Sequence, residues 1–226
     1  MSAGRKATRR GLPTAGQVLV QLRLTTGLSS EAYVSERAWR RATLDQCPLH
    51  PGGGCGIQKH GTYPRKSPPG ARVARWYCRL GQVTISLLPD CLASQVSGGL
   101  QEIESAARAA EDGKSIEAVA GSLRPDIELP GAVRWLRRRI EYTRSALVVA
   151  RGLSPDVLAG AMPTLREVSE ALGVEDGILV RLRAELGARL SCVAAPVGFA
   201  ARSRPRSTIR DGPQQRAGAV HEGGAP

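Results

Sequence analysis

The chain has 226 residues, with 32 Lys+Arg against 20 Asp+Glu, a formal net charge of +12 and aromatics at only 4%. It holds no apolar run of about eighteen residues, which excludes a membrane-spanning helix, and nothing near the start forms a secretory apolar region. Five Cys in such a chain point to a reducing compartment rather than a disulfide scaffold. The expectation is a cytoplasmic protein.

The charge is uneven. Residues 1–45 carry eight basic and three acidic residues, and 46–90 carry six and one. Residues 91–199 carry 13 and 14, so the helical part is close to neutral. Arg supplies nearly all the cations, with only four Lys in the chain. GC-rich coding accounts for part of that excess, but the guanidinium fork also suits phosphate oxygens.

Taken in order, residues 1–35 read as a basic, flexible arm, although the apolar spacing near its end is two. Residues 36–92 read as a small Cys/His module. Here Cys47-Pro-Leu-His50 opens a Gly-rich turn that ends at Cys55, and Cys78 follows. Between them lies a basic stretch with Lys59, His60, Arg65 and Lys66. Two alternating runs, 72–77 and 83–88, flank a turn containing Gly81, which is a hairpin pattern. A piece of about 45 residues buries too little apolar surface to fold well alone, and a metal is the usual remedy. Cys47, His50, Cys55 and Cys78 offer the four soft or borderline ligands that Zn2+ takes in a tetrahedron. The competing reading is that these Cys are small core residues, or a site that has lost a ligand, since Gly81 and Gln82 stand where a second knuckle would place one. Cys91 and Cys192 are expected to be buried.

Residues 97–192 read as helical, with two helix-turn-helix-like units. In the second, Pro163-Thr164 caps a helix with Glu167 three residues on, and Gly173 takes the turn. Val168, Leu172, Val174, Leu179 and Leu182 fall at buried spacing. The next helix starts with Glu175 and Asp176, carboxylates that repel phosphate, while Arg181 and Arg183 come later. In the first unit, Pro130 opens a helix on which Val133, Leu136, Ile140 and Leu147 form an apolar stripe. Arg134, Arg137, Arg138 and Arg144 lie beside it, a form suited to holding a helix on a scaffold and presenting Arg to a groove. The alternative is a solvated Arg face paired with the seven acids of 102–128. Residues 200–226 read as a disordered Arg/Pro/Gly tail.

The strings 47–56, 60–63, 74–78 and 86–90, followed by the helical units, resemble short bacterial mobile-element proteins. They are similar to the zinc-ribbon plus helix-turn-helix DNA-binding part of insertion-sequence transposases. The resemblance implies an α+β chain: a zinc-ribbon-like hairpin module, then a mainly helical region, with disordered basic termini. It also implies a DNA-binding accessory or remnant of a transposase, not an enzyme, because a nuclease domain of a hundred or so residues is missing. Expected partners are double-stranded DNA and a transposase or other mobile-element protein. Expected contacts are Lys59, Arg65, Lys66, Arg72, Arg75, Arg134, Arg137, Arg138 and Arg181. The alternative function is a helical protein-interaction adaptor, with a structural or degenerate metal site.

Overall fold

The computed structural model of the chain describes residues 20–113, 115–158 and 160–200. The architecture is α+β, a four-stranded sheet followed by a helical unit. The strands are β1 (Val20–Leu24), β2 (Gln58–Pro64), β3 (Arg72–Cys78) and β4 (Val83–Pro89), in sheet order β1-β4-β3-β2. Strand β1 runs parallel to β4, and the other pairs are antiparallel. The hairpin expected from alternation is β3–β4.

Two expectations are corrected here. The arm of residues 1–35 ends in structure: β1 is a sheet strand, and α1 (Ser30–Ser35) follows, capped by the Ser29 side chain. The cause is the period-two spacing of Val20, Leu22 and Leu24, which places three apolar side chains on one sheet face. Residues 1–19 and the tail from 201 on lie outside the described residues. The basic stretch 58–64 is also a strand, at the sheet edge. Its register shifts between Lys59 and Thr62, and a bulged, largely exposed edge strand lacks the alternation that marks a half-buried one.

The sheet separates two small cores. On one face Ala74, Ile85 and Leu87 pack with Cys47, Cys55, Cys78 and Ala42. On the other, Val73 and Leu88 pack with Tyr33, Trp39, Cys91 and Leu92. Trp39 belongs to a short 3-10 turn, Ala38–Arg40, and its ring meets Tyr33 at 5.7 Å.

The helical unit contains α2 (Leu100–Glu111), α3 (Ile116–Leu123), α4 (Leu129–Leu153), α5 (Pro155–Leu158), α6 (Leu165–Leu172) and α7 (Ile178–Leu186). Pro130 sits in the first turn of α4, where a missing N–H costs nothing. Thr164 Oγ1 accepts from the Glu167 N–H to cap α6, and Gly173 closes it at φ 64°. Helix α2 is the hub. Its Leu100, Ile103 and Ala107 join α4, α6 and α7 in the main core, and Ala106 joins Val119, Ala120 and Leu136 in a second.

The acids of α2 act inside the fold. The buried Glu104 carboxylate accepts from the Leu179 N–H at 2.9 Å, in the first turn of α7. Glu111, two turns further on, accepts from Leu165 and Arg166 N–H groups at the start of α6. One helix face thus satisfies orphan donors at two helix N-termini, where negative charge is favoured. Glu102 faces the buried Arg139 at 3.5 Å, and Arg139 lies 3.8 Å from the Trp135 ring centroid.

Arg183 joins the helical unit to the sheet. It is fully buried in α7, and its guanidinium donates to the carbonyls of Pro89, Asp90, Leu92, Pro196 and Val197. Burial pushes its pKa down to about 9, with Asp90 and then Cys91 opposing. It is therefore cationic at neutral pH, and five carbonyl dipoles hold it so. Cys192 is a further correction: it is exposed, because Leu190 and Val193 take the inward positions beside it.

Candidate metal centre and basic surface

The turn after Ala42 carries the first metal-site residues. The His50 N–H donates to the Cys47 carbonyl and the Gly53 N–H to the His50 carbonyl, folding 47–53 into consecutive tight turns. Gly53 and Gly54 take φ of 80° and 74°, left-handed values that bring the chain back to Cys55 within a few residues. Strand β3 ends at Cys78, and the β3–β4 turn completes the cage.

The structure brings all four expected ligands together. The donor atoms of Cys47, His50, Cys55 and Cys78 lie within 4.8 Å of one another. His50 Nδ1 is 3.6 Å from Cys47 Sγ and 3.3 Å from Cys78 Sγ. A tetrahedral ion with bonds of about 2.0–2.3 Å spaces its donors by roughly 3.5–3.8 Å. The two His50–Cys pairs stand close to that spacing, every other pair lies within 4.8 Å, and the three Cys are buried. These four residues can hold a metal ion.

Gly81, which reads from the sequence as the place of a missing ligand, has a different job. Its N–H donates to Cys78 Sγ at 3.2 Å. A Cβ there would stand 3.3 Å from Leu49 Cδ1 and 3.4 Å from both Cys78 Sγ and His50 Cε1. The position is reserved for a backbone amide that stabilises thiolate charge, and His50 supplies the fourth donor from the first turn. The electrostatics differ between two of the thiols. Burial raises the Cys47 pKa, but contacts with His50, the Leu49 backbone and the two other thiols outweigh it and bring the group to about 7. Cys55 is raised, by burial first and then by the neighbouring Cys47 and Cys78.

Among the nine residues expected to meet DNA, placement differs sharply. Lys59 and Arg72 line an open groove of about 550 Å³ together with Arg37, Arg40, Trp39 and Thr62. Among the described residues the lining holds four cations and no carboxylate. Arg72 Nε donates to Thr62 Oγ1 at 2.7 Å, and Lys59 Nζ donates to the Arg40 carbonyl at 2.9 Å. Arg37 and Arg40 were missed from the sequence, although both belong to the basic run 37–41. Arg37 takes φ 50° just before the 3-10 turn. Lys66 is exposed. Arg65 turns inward, donating to the carbonyls of Ala93 and Val96. Arg75 is half-buried on the sheet face opposite Cys78.

On α4, Arg134, Arg137 and Arg138 are exposed, with Arg137 4.0 Å from Glu117. Arg181 on α7 pairs with Glu185 at 2.6 Å. That helix turns Ile178, Leu179, Leu182, Arg183 and Leu186 into the core, so most of its surface is committed to packing.

No protein-family model, no curated protein and no solved structure matches this chain. Among the described residues, no helix is long and apolar enough to cross a membrane.

Proposed function

We propose that the protein is a DNA-binding accessory or remnant of a transposase, with zinc in its Cys/His cage and without strand-cutting activity. The observation that carries the reading is the groove. Arg37, Arg40, Lys59 and Arg72 surround one open surface with no acid in its lining, as a duplex backbone requires. Strand β3 supplies both Arg72 to the groove and Cys78 to the cage, so a bound metal stiffens the strand that carries a phosphate contact. Three thiolates and one imidazole favour zinc among the common divalent ions. The exposed Arg134, Arg137 and Arg138 of α4 add a second cationic face. The α2 acids argue against a nuclease trio there, since Glu104 and Glu111 are engaged at helix N-termini and Glu102 faces Arg139.

Fluorescence anisotropy with a duplex oligonucleotide tests the reading. Four groove contacts imply a slope of log affinity against log salt of about −3.6, or roughly a hundredfold loss between 50 and 200 mM salt. Arg40→Ala and Arg72→Ala should each reduce the slope by about one. A slope near zero, or an undiminished slope in both variants, refutes it.

A second reading, the helical adaptor, is favoured by one observation: Leu123, Ile127 and Leu129, around the α3–α4 turn, are exposed apolar side chains. Absence of duplex binding together with recovery of a protein partner that Leu129→Glu abolishes decides for it.

A further inference from the structure

The sheet carries a second cationic feature that neither the metal cage nor the groove uses. Gln21, Ser86 and Arg75 are cross-strand neighbours in one row over β1, β4 and β3. They therefore point to one face. With Tyr63, Arg65 and Gln95 they line a cavity of about 370 Å³, within the range of about 300–1,000 Å³ typical of small-ligand sites. Among the described residues no carboxylate lines it.

Its polar groups are incompletely satisfied. Ser86 is fully buried, and its Oγ, beside the Tyr63 phenol, reaches no partner at full hydrogen-bond geometry among the described residues. Arg75 Nε is buried without a partner, and Arg75 enters no ion pair among the described residues. Its guanidinium lies 5.9 Å from the Tyr63 ring centroid. Arg23, two residues along β1 on the same face, also has an unpartnered buried Nε. Buried polar atoms without partners are costly and rare in folded proteins. Here two of them, Arg75 Nε and Ser86 Oγ, both able to donate, belong to residues lining one cavity, which the Arg65 guanidinium also lines.

We propose that this cavity binds a terminal phosphate group. A tetrahedral dianion accepts donors from several directions at once. The Arg75 fork, the Ser86 hydroxyl, the Tyr63 hydroxyl and the Gln21 amide provide them from four strands. A planar carboxylate presents its lone pairs in one plane, so donors arriving from four strands suit a tetrahedral group better. The volume leaves space for the group that carries the phosphate. The site stands apart from the groove, so its failure leaves the DNA reading intact, and the reverse.

Isothermal titration calorimetry of the full chain with inorganic phosphate, at constant ionic strength and with chloride as the control anion, tests it. Saturable binding at one phosphate per chain is expected. Arg75→Gln should weaken it at least tenfold, and Arg166→Gln, at an exposed position on α6, should leave it unchanged. Ser86→Ala guards against a folding defect: it removes an orphan hydroxyl, so the ligand-free melting temperature should hold or rise while phosphate affinity falls severalfold. A second arm compares a 5′-phosphorylated duplex with its 5′-hydroxyl counterpart as competitor against phosphate. Preferential competition by the phosphorylated duplex supports the site and assigns the phosphate to a nucleic-acid end. Equal competition assigns it to a small ester. Phosphate binding no better than chloride, or unchanged binding in both Arg75→Gln and Ser86→Ala, overturns the proposal.

Discussion

Replacing Arg183 with Met removes the connection between sheet and helices while keeping much of the volume. The guanidinium serves five carbonyls, from Nε to Val197 at 2.8 Å, from Nη1 to Pro89, Asp90 and Leu92, and from Nη2 to Pro196. Pro89 also accepts from the Leu92 N–H and Pro196 from the Ser94 N–H, so those two keep a donor. The carbonyls of Asp90, Leu92 and Val197 have no other donor among the described residues. Three orphaned acceptors at about 1–3 kcal/mol each give a loss on the order of 3–9 kcal/mol. Met recovers part of the cost of burying a charge, which leaves an expected net loss of about 3–5 kcal/mol, a large share of a typical domain's stability. Urea unfolding followed by circular dichroism measures it. At a slope of about 2 kcal/mol/M the midpoint should fall by roughly 2 M with the slope unchanged. Arg183→Lys should fall between, since one ammonium cannot span two carbonyl clusters. A loss below about 1 kcal/mol in Arg183→Met would refute the idea that this side chain holds the two parts together.

Metal analysis of the purified chain should give one zinc, and Cys55→Ser should lower both the occupancy and the melting temperature. Chelation should do the same to the native chain. The ligands bind metal only when deprotonated, so the stabilisation should be present near pH 8 and lost as pH falls below about 6, read as zinc release to a chromophoric chelator. Retention of zinc at pH 4, or full stability after chelation, contradicts the cage. On α2, Glu104→Ala should cost about 1–3 kcal/mol in urea unfolding, because the buried N–H of Leu179 loses its acceptor. Glu111→Ala, at an exposed position, should cost no more than about 1 kcal/mol; equal losses at the two sites would contradict the difference in burial.

Local pattern alone determined a good deal about this protein. Alternation placed β3 and β4, cap chemistry at Thr164 and Gly173 placed α6, and Pro130 marked the start of α4. The Cys/His spacing picked out all four residues of the cage, because thiols and imidazole in a Gly-rich turn are scarce enough to be informative. Even β1 was written in its period-two spacing, and only the surrounding basic charge disguised it. Tertiary structure decided what each charge does, because the cost of a charge depends on what lies beside it in space rather than in sequence. It sent Lys59 and Arg72 to an acid-free groove, but Arg65 to the carbonyls of Ala93 and Val96. It set the α2 acids against helix N-termini and sank Arg183 among five carbonyls contributed by two segments. It also gave Gly81 to the Cys78 thiolate. Apart from Gly81 and Cys78, three residues apart, none of these pairings is local, and a side chain's charge carries no record of the partner that folding brings to it.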